Sequence, residues 1–430
     1  MKLSGTLATS MAIASLLGGL TLTPRPYFSQ KTDPASTASR PSLLGQQLEA
    51  QPSPTAHLQS PIQLTQTPPS NASQLGQELI QQLTECVQKK LSNNPQQPSL
   101  DRIQALAMQC TLRVVMLTPD GKVRPDANKR MTALIQATGI ALPKSSSQGQ
   151  ASVTLKPLPN SRVFTVPVTI GGQSKTFLLD TGASNSILDQ QIVQQLKLEG
   201  TPIPNDLLAY FVVGSDCSQV NATLHSLPPL TVQSAQVEGL NGMGLPKTAI
   251  PGNSSGVLGL DFLKGFDLVV NPKSLKLQLL PPSRPIAGAI PLVGKLGVMT
   301  TQVKINGQGP FSFLLDTGAD TMVLSERLAS RLSLNSATAK KVEVRGFCGN
   351  ESGKQTQLKR VSLQQHEVAQ LDAVILENRV LDLLGVEGIV GQNFLTQYQQ
   401  HWQFGPPNEL GFPEKGSLEL TPLTQIPSSH

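Results

Sequence analysis

The sequence contains few of the residues that build metal and cofactor sites. Its 430 residues include four cysteines and five histidines, and aromatic residues make up 4% of the chain. The cysteines form neither a CxxC pair nor a zinc-ligand pattern, and there is no HExxH motif. The sequence therefore predicts no metal site and no cofactor, with hydrophobic cores built mainly from Leu, Val and Ile.

Basic clusters and common nucleophile signatures are also missing. The net charge of +6 is spread along the chain, and the three tyrosines and one tryptophan are not interleaved with basic residues. This composition argues against a nucleic-acid partner. There is no GxSxG motif and no Cys/His nucleophile pattern, so neither signature supports covalent catalysis.

The N-terminus has a compact apolar stretch rather than a long hydrophobic run. Lys2 precedes an uncharged segment whose most apolar part is residues 11–22, which is the shape of an export signal. This part is shorter than the roughly 20 apolar residues that a spanning helix needs. Residues 1–23 are therefore predicted to be an export signal or a membrane anchor of an exported protein, which would be periplasmic, secreted or membrane-anchored facing outside the cytoplasm. A disordered apolar tail of a cytosolic protein is the alternative.

Two segments of different composition follow. Residues 24–73 are rich in Pro, Ser, Thr and Gln and are predicted to be a disordered linker, because they can bury too little apolar surface. Residues 74–142 have helical spacing and are predicted to form a small helical unit of three helices, the third spanning 126–137. Cys86 and Cys110 fall in the first two helices, where a disulfide and two buried thiols both remain open.

The rest of the chain is an internal repeat. The sequence Phe-Leu-Leu-Asp-Thr-Gly-Ala at residues 177–183 recurs at residues 313–319, an offset of 136 (316 minus 180). Residues 256–259 match residues 388–391 at an offset of 132 (388 minus 256), and the order of elements is the same in both copies. Short apolar runs bounded by turn residues predict β-structure. The two predicted β-rich lobes are residues 155–282 and 286–424.

Each copy places an aspartate directly after an apolar strand. Asp180 and Asp316 are equivalent residues of the two copies, so they can meet at a pseudo-twofold axis. Two carboxylates a few ångströms apart share one proton and titrate as a coupled pair. The ionised member can take a proton from an attacking water while the protonated member donates to the substrate carbonyl. This pattern predicts hydrolysis of peptide bonds without a metal, a cofactor or a covalent intermediate.

These motifs resemble the retropepsin-like branch of the aspartic proteases. The resemblance covers both predicted lobes, through the Asp-Thr-Gly-Ala motifs and the later apolar-apolar-Gly motifs. It implies an all-β catalytic region of two retropepsin-like β-barrel lobes in a pseudo-twofold arrangement, preceded by a small α-helical unit. It also implies an aspartic endopeptidase with a polypeptide substrate. A monomer with an intramolecular lobe pair is expected, because the linker between lobes favours the partner in the same chain.

The resemblance also assigns supporting roles around the two aspartates. In this family the later motif packs behind the catalytic loop, and the two threonines interlock the loops. The residues expected to support the loops are Thr181, Gly182, Ala183, Thr317, Gly318, Ala319, Val257, Leu258, Gly259, Ile389, Val390 and Gly391. The pairs Leu260/Gln392 and Asp261/Asn393 differ between copies and flank the cleft in this family, so unequal substrate subsites are expected.

The residue after each Asp-Thr-Gly bears on pH. Ala183 and Ala319 occupy positions where a Ser or Thr hydroxyl would stabilise the ionised carboxylate and lower its pKa. Because that donor is missing in both copies, the expected pH optimum is mildly acidic to near neutral.

The flaps that the resemblance implies are expected near residues 210–218 and 342–349. Neither segment has the Gly-rich signature of the viral enzymes, and each contains a cysteine. The flap candidates are Gly214, Cys217, Gly346 and Cys348. We hypothesise that the two cysteines form a disulfide that latches the flaps and makes activity redox-dependent; two unrelated loop thiols are the alternative.

Two other interpretations of function are open. One is a catalytically silent aspartic-protease fold that binds peptides or a partner in the cell envelope, although both Asp-Thr-Gly copies are intact. The other is an envelope-tethered structural or scaffold protein whose function lies in the helical unit. That unit could also be an inhibitory pro-segment, in which case its removal should raise activity.

Overall fold

A computed structural model describes residues 74–92, 99–138, 144–208, 212–214, 216–284, 286–334 and 339–423. The predicted export segment and linker, residues 1–73, lie outside the described residues. Within these ranges the protein is mostly β, with two large sheets and a small N-terminal helical unit. No helix in the described ranges is long and apolar enough to cross a membrane.

The helices are short except in the N-terminal unit. They are α1 (Gln74–Ser92), α2 (Leu100–Thr111), α3 (Ala127–Thr138), α4 (Gln190–Gln195), α5 (Asn205–Leu208), α6 (Leu260–Leu263), α7 (Glu326–Arg331), α8 (Arg379–Leu384) and α9 (Gln392–Leu395). A π-helical turn, Leu112–Met116, continues α2, and two short 3-10 turns are Lys247–Ala249 and Pro251–Asn253.

The strands of the first sequence repeat and its N-terminal approach are β1 (Ser146–Gln148), β2 (Ala151–Thr154), β3 (Lys156–Pro157), β4 (Phe164–Ile170), β5 (Gln173–Leu179), β6 (Ile187–Asp189), β7 (Gly200–Ile203), β8 (Ala222–Ser226), β9 (Leu230–Val232), β10 (Ala235–Glu238), β11 (Asn241–Leu245), β12 (Gly256–Leu258), β13 (Asp267–Asn271) and β14 (Lys276–Leu280). Those of the second are β15 (Ile290–Lys295), β16 (Val298–Ile305), β17 (Gln308–Leu315), β18 (Met322–Ser325), β19 (Lys341–Gly346), β20 (Gly349–Leu363), β21 (His366–Leu376), β22 (Gly388–Val390), β23 (Tyr398–Phe404) and β24 (Lys415–Pro422).

The helical unit is built on its own apolar core but is not isolated from the lobes. Helices α1 to α3 bury Leu79, Leu83 and Leu134 together, as the helical spacing predicts. A disulfide between Cys86 and Cys110 joins α1 to α2. The same core contains two leucines of the β-lobes, Leu207 on α5 and Leu383 on α8.

The two repeats have the same strand order around their motifs. In the first sheet the neighbours run β4-β5-β12-β6-β11-β8-β7, and in the second they run β16-β17-β22-β18-β21-β20-β19. In both, the motif strand pairs in parallel with the short strand of the later motif, β5 with β12 and β17 with β22. The tandem duplication seen in the sequence is therefore also a duplication of the fold.

The first repeat also contributes strands to the sheet of the second lobe. Strand β13 of the first repeat pairs with β23 of the second, with Leu268 opposite Trp402, and β14 and β2 extend that sheet. Strands β1 and β2 lie before residue 155, the predicted start of the first lobe. Sequence alternation marks which face of a strand is buried but not which strand it pairs with. The pairing of β13 with β23 was therefore not predicted from the sequence.

Equivalent hairpins carry the two motif strands into the core. Strands β4 and β5 turn at residues 171–172, and β16 and β17 turn at residues 306–307, all with positive φ, the conformation that tight hairpin turns require. Beyond the turns, Phe177 and Phe313 are fully buried. Each aspartate is thus delivered at the end of a buried strand.

Candidate active site

Asp180 and Asp316 come from different lobes and meet at the lobe junction. Asp180 follows β5 and Asp316 follows β17, and each carboxyl group lies against the glycine of the opposite loop, Gly318 or Gly182. The structure thus places the two equivalent aspartates of the repeat side by side.

Each carboxyl group is also held by its own loop. Oδ1 of Asp180 accepts hydrogen bonds from the backbone N–H groups of Gly182 at 2.8 Å and Ala183 at 3.0 Å. In the second lobe, the equivalent amides of Gly318 and Ala319 donate to Oδ1 of Asp316 at 2.7 Å and 3.2 Å. These donors fix the orientation of both carboxyl groups.

The glycines permit the close approach of the two loops. A Cβ on Gly182 would clash with the carboxyl group of Asp316, and a Cβ on Gly318 would clash with that of Asp180. Each glycine therefore leaves the space that the carboxyl group of the opposite lobe occupies.

The two threonines interlock the loops across the junction. The N–H of Thr181 donates to Oγ1 of Thr317 at 3.0 Å, and the N–H of Thr317 donates to Oγ1 of Thr181 at 3.1 Å. Each hydroxyl in turn donates to a carbonyl of the opposite lobe, Thr181 to Leu315 at 3.1 Å and Thr317 to Leu179 at 2.9 Å. Both threonines are fully buried, so the four bonds are shielded from water.

The later motif of the first lobe lies beside the strand that carries Asp180. The N–H of Asp180 donates to the carbonyl of Leu258 at 3.2 Å, and the N–H of Leu260 donates to that of Ala183 at 2.7 Å. Val257 is fully buried in the same strand. A Cβ on Gly259 would press against the backbone of the catalytic loop, which explains the glycine there.

The later motif of the second lobe supports the loop of Asp316 in the same way. The N–H of Asp316 donates to the carbonyl of Val390 at 3.1 Å, and Gly391 again leaves no room for a Cβ beside Ala319. Ile389 is paired in register with Leu314 of the motif strand.

The pairs at residues 260–261 and 392–393, expected to give unequal subsites, differ in their contacts with the catalytic loops. All four side chains are buried. Nε2 of Gln392 donates to the carbonyl of Thr317 at 2.9 Å, and Asp261 accepts from the hydroxyl of Ser186 at 2.7 Å. These residues brace the loops from behind, because their side chains point into the core rather than the cleft.

Burial dominates the titration of the two aspartates. Burial raises the pKa of Asp180 well above its ordinary value, and the charge of Asp316 and the hydrogen bond to it raise this pKa further. Burial also raises the pKa of Asp316, but the hydrogen bond from Asp180 and the amides of its loop oppose the rise. The two carboxyl groups therefore titrate as one coupled pair that holds a shared proton above the ordinary pKa range of an aspartate.

The predicted flaps differ between the lobes. In the second lobe β19 and β20 form a hairpin whose tip runs from Gly346 to Gly349. In the first lobe the matching strands β7 and β8 are separated by helix α5 and by a loop that contains Gly214 and Cys217. Residues 209–211 and 215 of that loop lie outside the described residues. The structure joins Cys217 to Cys348 by a disulfide, which is the pairing that the sequence hypothesis requires.

One cross-lobe contact was missed at the sequence level. Asp320, directly after the second Asp-Thr-Gly-Ala, accepts hydrogen bonds from the Ser161 hydroxyl at 2.9 Å and the Arg162 N–H at 2.5 Å. The first copy has Ser184 at this position, so the difference between copies was the available signal.

A cavity of about 570 Å³ lies elsewhere, between the helical unit and the lobes. Its lining includes four basic residues and neither catalytic candidate. The basic residues are Lys90, Arg113, Arg124 and Arg379.

The chain is similar to one protein family and to solved structures. The family model described as gag-polyprotein putative aspartyl protease matches residues 166–265 and 301–397, one segment in each lobe. No curated protein matches the chain significantly. Among solved structures, a retropepsin-like aspartic protease from Rickettsia conorii is 16% identical, with a TM-score of 0.22, over 32% of this chain and 94% of that one.

Proposed function

We propose that this chain, a two-lobe retropepsin-like protein, is an aspartic-type endopeptidase that hydrolyses peptide bonds with Asp180 and Asp316. The observation that carries the proposal is the contact between two buried carboxyl groups, one from each lobe, in loops interlocked by Thr181 and Thr317. A fold used only for binding would not need two carboxyl groups that resist ionisation side by side.

The chemistry follows from the one proton that the two aspartates share. A water between them gives a proton to the ionised aspartate as its oxygen attacks the peptide carbonyl, while the protonated aspartate donates its proton to the carbonyl oxygen. The tetrahedral intermediate then collapses: the C–N bond breaks, the amine takes a proton from the aspartate that the water protonated, and the hydroxyl returns one to the other aspartate. The dyad ends in its starting state, so no cofactor is consumed.

The test is turnover of an unfolded protein substrate by the purified full chain. Asp180→Asn and Asp316→Asn should each lower kcat/KM by about 100-fold or more, because each removes one half of the acid–base pair. A pepstatin-type inhibitor should block the wild-type enzyme. The matched control is Asp120→Asn, which changes an exposed carboxylate in the helical unit and should leave activity unchanged.

The alternative, a silent fold that binds peptides, makes the opposite prediction. It requires that substrate binds without cleavage and that both Asp→Asn variants bind as well as the wild type. Residual hydrolysis that persists equally in Asp180→Asn and Asp316→Asn would also contradict a catalytic dyad.

We also propose that the protein acts outside the cytoplasm and as a monomer. Two disulfides within the described residues suit an oxidising compartment. One chain supplies both aspartates, so a second copy is not required. Fractionation of cells that express the full chain, combined with gel filtration, tests both statements.

A further inference from the structure

The cavity between the helical unit and the lobes combines an apolar wall with several positive charges. Its volume of about 570 Å³ lies in the range of cavities that hold small ligands. Leu112, Leu117 and Leu207 line it and are almost completely buried. The charged residues of the lining are Lys90, Arg113, Arg124 and Arg379. Among the described residues that line the cavity, none has a carboxylate, so the four positive charges are not balanced from within the lining.

The three arginines of the lining lack the ion pairs that other arginines of the chain form. Arg327, for example, pairs with Glu387 at 3.1 Å. By contrast, no ion pair between described residues includes Arg113, Arg124 or Arg379. Nε of Arg124 is shielded from solvent and has no hydrogen-bond partner in the described part of the chain. A buried charged donor without a partner is unfavourable, and a bound anion would supply the missing acceptor.

A disulfide fixes the spacing of two of these positive charges. Lys90 lies one helical turn after Cys86 on α1, and Arg113 lies about one turn after Cys110, where α2 continues into the π-helical turn. Residues at such spacings lie on the same side of a helix. The disulfide joins Cys86 to Cys110, and Nζ of Lys90 donates to Oε1 of Gln109 at 3.1 Å. Less ordering is then needed when a ligand binds, because these positions are already set.

The segment that carries Arg124 is also held in place. The N–H of Thr118 donates to the carbonyl of Lys122 at 2.7 Å, and the N–H of Arg124 donates to the carbonyl of Met116 at 2.8 Å. The carboxylate of this turn, Asp120, is exposed and pairs with Lys122 at 3.2 Å. It is not part of the cavity lining, so it does not neutralise Arg124 there.

Both sequence repeats contribute to the wall opposite the helical unit. Leu207 belongs to α5 of the first repeat, and Arg379 is the first residue of α8 in the second. A ligand in this cavity would therefore contact the helical unit and both repeats at once. Binding there should stabilise the assembled chain as a whole.

We infer that this cavity binds a small multivalent oxyanion, a compound with phosphate or carboxylate groups. A guanidinium group can donate two parallel hydrogen bonds to such a group. An anion with two or more charges offsets more of the four positive charges than a monovalent ion does. The described lining contains no aromatic residue, so it offers no surface on which a nucleotide base could stack. The inference does not depend on peptide hydrolysis.

The first test is calorimetric titration of the purified full chain with inorganic pyrophosphate and, separately, with citrate. Sodium chloride keeps the ionic strength constant. Arg113→Gln/Arg379→Gln removes two exposed charges of the lining, and the control Lys129→Gln/Lys276→Gln removes two exposed charges outside it. Wild type and control should bind at least one probe at a single saturable site. The arginine variant should bind it at least about tenfold more weakly, because charge-assisted hydrogen bonds are lost.

The second test is a thermal melt of the same proteins. A saturating concentration of the bound probe should raise the melting temperature of wild type and control by about 3–5 °C. Without the probe, Arg113→Gln/Arg379→Gln should melt no lower than wild type, because these arginines have no ion pair to lose. A purely structural role for them predicts the reverse: a lower melting temperature without the probe and an undiminished rise with it.

The probes and the control variant separate the possible outcomes. Binding of pyrophosphate alone or of citrate alone supports the inference and assigns the site to phosphates or to carboxylates; binding of both assigns it to oxyanions in general. The inference is wrong if neither probe binds saturably, or if the arginine variant binds as tightly as wild type. It is also wrong if the lysine control loses affinity equally, since attraction would then come from net charge alone. Because neither test measures cleavage, an inactive enzyme would leave both readouts intact.

Discussion

At the scale of single residues, the two aspartates are equivalent in sequence and in the backbone donors that hold them. Both pKa values are raised, chiefly by burial. Neither loop supplies a side-chain hydroxyl after its glycine, since Ala183 and Ala319 donate only backbone amides. The acid and alkaline limbs of activity therefore belong to the pair.

The first prediction concerns these limbs. The pH profile of kcat/KM should be bell-shaped, with both limbs above the ordinary pKa of an aspartate. Ala319→Ser adds a hydroxyl beside Asp316 and should move the acid limb to lower pH, because a donor to the ionised carboxylate lowers its pKa. Ala183→Ser, its matched partner beside Asp180, should have the same effect. A wild-type profile that peaks below about pH 3 would contradict the prediction.

At the scale of elements, the site depends on two loops that hold each other. The hydroxyls of Thr181 and Thr317 each accept one bond and donate another across the junction. Without either hydroxyl, a backbone N–H and a carbonyl of the opposite lobe would be buried without partners. That loss should affect loop position before it affects the rest of the fold.

Thr181→Val, which keeps the shape of the side chain, should lower the free energy of unfolding by about 1–3 kcal/mol. It should also lower kcat more than it raises KM, because the dyad loses its alignment. Thr181→Ser keeps the hydroxyl and should retain most of both properties. Denaturant melts and steady-state kinetics check the pair; unchanged values for the valine variant would show that the interlock is dispensable.

Sequence patterns predicted the elements around the dyad but not the first-lobe flap. The dyad and threonine interlock follow from a contiguous motif present twice, so their geometry is fixed by the duplication. Between β7 and β8, however, the chain forms α5, with Leu207 in the core of the helical unit and Leu208 in the apolar cluster that contains Cys217 and Cys348. Contacts with distant segments determine this conformation, and local patterns do not encode them.

At the scale of the whole molecule, the helical unit is part of the folded protein. Its core includes Leu207 and Leu383 of the lobes, so its removal would expose apolar surface on both. This packing favours a structural role over an inhibitory pro-segment that leaves the lobes intact when removed.

Leu134→Ala, at a fully buried position of α3, should lower the free energy of unfolding by about 2–5 kcal/mol. The fluorescence of Trp402, the single tryptophan of the chain, reports on the sheet that the lobes share. The melting temperature measured by Trp402 fluorescence should fall in Leu134→Ala, because the core of the helical unit includes residues of the lobes. The control Lys129→Ala changes an exposed residue of the same helix and should shift the melt little; an unshifted Trp402 transition in both variants would mean that the unit folds separately.

The sheet that the two lobes share has a consequence for folding during synthesis. During synthesis, strand β13 leaves the ribosome long before β23, with which it pairs. The edge of β13 that β23 will cover therefore stays unpaired until the second lobe is made. Unpaired edges invite association with other chains, and pairing across a long sequence separation is slow. The nascent protein therefore has a vulnerable interval that ends only when its last strands are released. A chain that lacks β23 and β24 should therefore aggregate rather than fold into a smaller active enzyme.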